Sequence, residues 1–529
     1  MSSLVIVFIS LILFFCAYRF YARKFESLWQ IDPKRSTPAF SKYDSMDYIP
    51  AKNWLVLFGH HFASIAGAGP IIGPVIAVML WGWLPALLWV VLGTIFIGGV
   101  HDYGSLITSI REGGSSIAEI AEHVISKRAK ILFSLFVWLA LILVIAVFAY
   151  LCADTFVKEP KIVLPALGLI PVAMIVGYLL YHLRVNSVLV TILGLACLAG
   201  LIFLGNSLPL NGSLTIWLLV LFIYCYFASV LPVNILLQPR DYLSSFLLFF
   251  GVGVGYIGLL LSHPQINMPY YHRWNTNEGY LWPALFVTVA CGAVSGFHSL
   301  IASGTSSKQI ANERHVKRIG YGGMVAEGVV AVLAIISTAI LFNTKQDFGA
   351  VLKSISPIEI FGKGYGLITQ GILGGYGRFI AITILNAFIL TTLDTATRIS
   401  RYLTEELFGI KNRYLSTILV VIVSAALAFS GKWNRIWPVF GASNQLVAAL
   451  ALFVLSCWLL SKNKTTRFTL LPAFFMLITT VFALVFQAIR YFINKDIVLL
   501  VVSICLILLA GFMVSEVVRV IFKGRRKHA

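Results

Sequence analysis

Ten histidines and 21 carboxylates are few for 529 residues, and several of them sit where charge is expensive. His60 and His61 enter an apolar stretch, Asp102 follows His101 at the end of another, and His298 lies within Ser295-Gly296-Phe297-His298-Ser299. Glu327 stands inside an apolar run, Asp241 follows Gln238-Pro239-Arg240, and Asp394 closes Thr391-Thr392-Leu393. Ionisable groups in such segments are costly and mark ion or substrate paths. Imidazoles and carboxylates are the groups whose proton affinity burial and neighbours move most readily, so the set fits reversible proton binding. The hydroxyls of Ser299 and Ser303 could instead offer oxygen ligands to a sodium ion. Each residue also has a plainer reading. Asp102, Asp241 and Asp394 fall at span ends, where a carboxylate caps a helix or pairs with an arginine such as Arg240, and His298 could be a packed ring with one satisfied bond. No His-Glu-x-x-His and no nucleophile elbow is present, so enzyme chemistry is the weaker expectation. No metal site and no cofactor is expected beyond the coupling ion, a proton or sodium.

Backbone chemistry adds a second signal. The stretch from Gly59-His60-His61-Phe62 through Ala66-Gly67-Ala68-Gly69-Pro70 to Gly73-Pro74 crowds glycine and proline into one apolar segment. Proline removes a donor and glycine lowers the cost of unwinding. Broken backbone survives at membrane depth only against protein or a watery cavity. A second candidate break is Phe227-Ala228-Ser229-Val230-Leu231-Pro232-Val233-Asn234, whose Phe-Ala-Ser-Val echoes Phe62-Ala63-Ser64-Ile65 five spans earlier. An odd offset inverts a repeat in the membrane, and interrupted segments in matching halves point to a transporter's binding site. Half-helix N-termini suit a carboxylate and C-termini a cation. The expected solute contacts are therefore His61, Ser64, Gly67, Ala68 and Gly69 at the first break. Ser229, Pro232 and Asn234 are expected at the second, with Ser295 and His298 beside them. Asp102, Asp241, Glu327, Asp394, Ser299 and Ser303 are the expected ion-coupling groups.

The elements that position these residues are membrane helices. The chain is 59% hydrophobic and 12% charged, with mean hydropathy +0.90. A soluble surface needs about a quarter of its residues charged. Spans are predicted near 3–20, 55–79, 83–103, 129–152, 163–181, 186–205, 214–232, 242–262, 281–303, 319–342, 372–393, 414–430, 438–459, 468–490 and 497–522, about fifteen in all. The fold class is thus an all-α polytopic membrane protein. Its predicted core is an inverted five-plus-five repeat, with one helix before it and four after. The divisions are 1–54 for the first helix and a basic loop, 55–205 and 214–393 for the two repeats within a 55–393 core, and 394–529 for the late helices and basic tail.

The net charge of +19 excludes little, because it lies mostly in the loops and needs no nucleic acid. Lysine and arginine concentrate in alternate loops, including 22–54, 104–130, 304–318 and the tail Lys523-Gly524-Arg525-Arg526-Lys527. That alternation predicts those loops to be cytoplasmic, with the N-terminus outside and the C-terminus inside, and it allows contact with anionic lipid. The segment 3–20 has no positive n-region or small-residue cleavage site and is expected as a retained helix. Seven cysteines sit in or at the ends of apolar segments without Cys-x-x-Cys spacing, as small packed residues.

Five stretches together resemble the carbon starvation protein A family. They are Gly59-His60-His61-Phe62 through Gly73-Pro74, Gln238-Pro239-Arg240-Asp241-Tyr242, and Gly292-Ala293-Val294-Ser295-Gly296-Phe297-His298 through Gly304-Thr305. Phe388-Ile389-Leu390-Thr391-Thr392-Leu393-Asp394 and Trp437-Pro438-Val439-Phe440-Gly441-Ala442-Ser443-Asn444-Gln445 complete the set. The resemblance implies a bacterial inner-membrane carrier related to the amino acid–polyamine–organocation superfamily, with a LeuT-type repeat. It further implies uptake of pyruvate or small peptides when carbon is scarce, with proton coupling. A sodium-coupled carrier of another small carboxylate or amino acid is the alternative, and a membrane-embedded enzyme a lesser one. Membrane lipids, and possible oligomer formation, complete the expected partners.

Overall fold

In a computed structural model the described residues are 2–342, 348–430 and 433–526. Among them thirteen helices are long and apolar enough to cross a membrane. In chain order the helices are α1 (Ser3–Leu28), α2 (Trp54–Trp81), α3 (Trp83–Arg111), α4 (Lys127–Lys158), α5 (Pro160–Tyr181), α6 (Ser187–Ser207) and the shorter α7 (Leu214–Val230). Next come α8 (Leu237–Ser262), a discontinuous α9 (281–304), α10 (Glu313–Ala339) and α11 (Gly377–Phe408). The series ends with α12 (Arg413–Ser430), α13 (Ile436–Ser461), α14 (Arg467–Ile493) and α15 (Ile497–Val520). Most exceed the roughly 20 residues that span the hydrocarbon, because hydrogen bonds stay within each helix where water is absent.

Two of the fifteen expected spans fall short of that standard. The seventh closes at Val230 after 17 residues. Leu231 is extended (φ −73°, ψ 150°), as a residue before proline must be, so Pro232 ends the helix and does not interrupt it. The expected second break at 227–234 is thus the connector into α8. The ninth span, expected as one helix over 281–303, is the one that breaks. Short helical pieces Leu281–Leu285 and Phe286–Thr288 give way at 289–295, and helix resumes over Gly296–Gly304. The first break is where the glycines and prolines lie. Trp54–Ala66 and Gly69–Trp81 are separate helices joined at Gly67, whose φ is +34°.

Helices α4 and α11 are each 32 residues and lie antiparallel. Trp138 Nε1 donates to Thr404 Oγ1 at 2.8 Å near one end, and Asn386 donates to Thr155 near the other. The short pair α7 and α12 also pack together, with Ser229 Oγ 3.4 Å from Thr417 Oγ1. The first half of α2 lies against α8, and the second half of α9 against α13. The bundle interior is therefore built from α2, α3, α4, α8, α9, α10, α11 and α13. The outward faces of α6, α12, α14 and α15 carry exposed Leu, Ile, Val and Phe.

Candidate functional site

The two breaks face each other. A Cβ on Gly69 would collide with the side chain of Cys291, and one on Gly73 would lie 2.5 Å from the Thr288 carbonyl. Only glycine lets the second half of α2 touch the backbone of the second break. The freed backbone groups are partly recapped. Thr391 Oγ1 donates to the Ala63 carbonyl at 2.6 Å and Thr392 Oγ1 to the Ser64 carbonyl at 3.1 Å, closing the end of the first half-helix. In the second break Thr94 Oγ1 donates to the Gly292 carbonyl at 3.3 Å. Asn444 Oδ1 accepts from Phe297 N–H at 2.9 Å and from Ser295 Oγ at 3.2 Å. Asn444 therefore acts on the restarted helix as an N-cap supplied from α13.

Below this junction lies a fully buried chain of ionisable groups. Asp102 accepts from His101 Nδ1 at 2.7 Å on one oxygen and from His298 Nδ1 at 2.8 Å on the other. The opposite nitrogen of His298, Nε2, stands 3.0 Å from Glu327 Oε2. That is ion-pair distance, although the ring points off the line of a hydrogen bond, and among the described residues no hydrogen-bond donor reaches either Glu327 oxygen. With Nδ1 donating to Asp102, a neutral ring would turn its Nε2 lone pair on a carboxylate. A proton on Nε2 or on Glu327 removes that repulsion.

A second buried cluster lies on the other flank of the first half of α2. Arg240 binds Asp241 (Nη2 to Oδ1, 2.7 Å) and Asp394 (Nη2 to Oδ1, 3.1 Å), and Tyr224 OH donates to Asp394 at 2.6 Å. His60 Nδ1 donates to Asp241 at 2.7 Å, and Ser64 Oγ reaches the same oxygen at 3.3 Å. Here the cation is internal and permanent, so the cluster reads as a fixed ion network. The adjacent His61 turns the other way, to Ser306 Oγ at 2.8 Å. His60 Nε2 also lies 3.3 Å from Gln309 Nε2, so one short turn after α9 meets both histidines.

The expected residues therefore divide. Gly67, Ala68, Gly69 and Ser295 meet at the two breaks, with Ser64 just before the first. Asp102, His298 and Glu327 form one unit, and Asp241 with Asp394 forms another. Ser299 and Ser303 spend their hydroxyl protons on the Gly296 and Ser299 carbonyls of their own helix. Ser229, Pro232 and Asn234 belong elsewhere. Ser229 meets Thr417, Arg398 donates to the Ala228 and Leu231 carbonyls, and the Asn234 carbonyl abuts Gly177. Asp102 and Asp394 are not at helix ends as expected, because α3 and α11 continue to Arg111 and Phe408. Sequence reading missed Tyr224, Gln309 and the capping role of Asn444. For Gln309 the available signal was its place three residues after Ser306, on the same short turn.

Two cavities bracket the junction. One, of about 650 Å³, is lined by Ile76 and Met79 of α2, Tyr150 and Asp154 of α4, and Val287 and Thr288 just before the second break. The other, of about 460 Å³, lies toward the basic loops and is lined by Phe133 and Val137 of α4, Leu300 and Ser303 of α9, and Ile399 and Tyr402 of α11.

Thirteen long apolar helices among the described residues define a multi-pass membrane protein, with two opposed interruptions and a cavity on either side of them. The fold is shared with solved transporters. Crystal structures of the Eremococcus coleocola manganese transporter, as a histidine-to-alanine mutant and in complex with an aromatic bis-isothiourea compound, superpose with TM-score 0.54. Identity is 14% and 15%, over 92% of this chain and 99% of that one.

The family described as carbon starvation protein CstA matches residues 2–358 and 341–483, and this chain belongs to it. The peptide transporter CstA of Escherichia coli K12 is 32% identical, over 91% of this chain and 80% of that protein. The pyruvate/proton symporter BtsT of the same organism is 30% identical over 91% and 81%. The peptide transporter CstA of Bacillus subtilis is 29% identical over 94% and 92%.

Proposed function

We propose that this protein is a proton-coupled symporter importing pyruvate or small peptides across the bacterial inner membrane, with its N-terminus outside and its basic tail in the cytoplasm. The observation that carries this reading is the junction of two broken helices between two cavities, with His298 joining Asp102 and Glu327 directly beneath it. Solute would bind at the junction, where the backbone leaves the helical pattern at Gly67–Gly69 and 289–295, and the proton would bind between His298 and Glu327. Relatives named for peptides and for pyruvate with protons support both the solute class and the ion. Sodium is the less favoured ion, because a relative is named as a proton symporter.

The core we propose is a LeuT-type inverted repeat with boundaries moved from those expected. Its halves pair broken α2 with broken α9, α3 with α10, long α4 with long α11, short α7 with short α12, and α8 with α13. Repeat one then runs over 54–262 and carries the hairpin α5–α6 as an insertion, and repeat two runs over 281–461. The helices α1, α14 and α15 are peripheral.

Counterflow in proteoliposomes tests the carrier reading. Vesicles loaded with unlabelled pyruvate, or with dialanine, are expected to accumulate the labelled solute transiently. Equilibration without overshoot for both solutes, as through a pore, would contradict it.

A further inference from the structure

The two cavities lie along one helix. Phe133 and Val137 of α4 line the cavity toward the basic loops, and Tyr150 and Asp154 of the same helix line the other. Between them stands Phe148, buried to 2% exposure. At 1.5 Å per residue its Cα is about 16 Å from that of Val137 and about 9 Å from that of Asp154. At 100° per residue Phe148 shares a face with Val137, about 20° apart, and Asp154 is turned about 120° from it. The Phe148 ring lies where the broken helix has no side chain, since a Cβ on Gly67 would be 3.0 Å from Phe148 Cε2. Phe440 of α13 backs it edge-on, with ring centroids 5.6 Å apart and planes at 67°. From α11, Thr392 closes on the same spot, with Oγ1 2.9 Å from that Cβ position.

We infer that Phe148, backed by Phe440, is the barrier between the two cavities, and that its ring sets the size of solute that passes Gly67. This rests on the carrier reading above. A phenylalanine has two side-chain torsions, so the ring can change rotamer without a change in the helix backbone of α4. The adjoining polar backbone of Gly67 and Ala68 would face the solute as the ring leaves. Such a plug admits a flat three-carbon acid more readily than a branched dipeptide, so trimming it relaxes selection by size.

The test compares the wild type with Phe148→Ala and Phe148→Leu in proteoliposomes. Three readouts are taken: uptake of labelled pyruvate and dialanine driven by a pH gradient, gradient-free efflux of the same solutes, and entry of the bulkier dileucine. Phe148→Leu keeps most of the side-chain volume and guards against a folding failure in the alanine variant. The expected result is a gradient-free leak on the order of tenfold above wild type for Phe148→Ala, a smaller leak for Phe148→Leu, and dileucine entry only in the variants. Wild-type accumulation with no added leak and no dileucine entry in either variant would overturn the barrier role and leave the carrier reading intact. Loss of accumulation without any leak in Phe148→Leu would assign the ring to packing alone and overturn it equally. A wild type that accumulates neither solute would remove the carrier reading, and the barrier with it.

Discussion

His298 holds Asp102 with one ring nitrogen at 2.8 Å and stands 3.0 Å from Glu327 with the other, joining α3, α9 and α10 through a single imidazole. All three side chains are fully buried. A half-helix that restarts at Gly296 carries the ring, so any movement of that half-helix changes the ring's distance to each of the two acids. In the proposed mechanism this residue links proton occupancy to helix position.

Replacing Glu327 with Gln removes the proposed proton acceptor while keeping shape. Accumulation driven by a pH gradient is expected to fall to background, while exchange of internal for external solute persists. Measuring both in one preparation separates loss of coupling from loss of binding. Accumulation at the wild-type level in Glu327→Gln would place the proton elsewhere.

Arg240 has a different task. Truncating it to Ala strands Asp241 and Asp394 without their cation, and breaking a buried pair costs about 3–5 kcal/mol. A clear drop in the thermal midpoint of the detergent-purified protein is expected, larger than that caused by Glu327→Gln. Equal midpoints for Arg240→Ala and wild type would show that the network carries no structural load.

Gly67 is held at φ +34°, where a side chain is strained, and a Cβ there meets Phe148 and Thr392. Gly67→Ala is expected to cost about 1–3 kcal/mol in stability and to abolish transport, with the protein still reaching the membrane. Normal uptake by this variant would show that the break is not where solute passes.

Outside the membrane spans, Asp47 offers a pH prediction. Burial raises its proton affinity, but Arg398 and Lys308, with a hydrogen bond from Tyr402, outweigh burial and hold it below the ordinary 3.8. A depressed carboxylate adds stability above its unfolded value and loses it as pH falls through the folded one. Asp47→Asn should therefore melt lower than wild type at neutral pH, with the gap constant down to about pH 4 and closing below it. A gap that widened on acidification would contradict the sign.

Much of this was legible in the residues, for identifiable reasons. The first break was readable because Gly67, Gly69, Pro70, Gly73 and Pro74 crowd one segment. The second was hidden, since Val289-Ala290-Cys291-Gly292-Ala293-Val294 is apolar and lacks proline; its backbone is opened by tertiary contacts from Thr94, Asn444 and Gly69. Pro232 misled because proline marks a helix end as readily as a mid-span kink. Asp102, His298 and Glu327 stood out singly as ionisable groups in apolar runs. That one imidazole joins both acids depends on how α3, α9 and α10 pack, which no local pattern encodes.

The most direct measurement is proton movement itself. Proteoliposomes carrying a pH-sensitive dye inside receive external pyruvate, and in parallel dialanine, with no imposed gradient. Internal acidification that follows solute entry in the wild type and is absent in Glu327→Gln is the predicted result. Labelled solute entering the wild type with no change in internal pH would contradict the account.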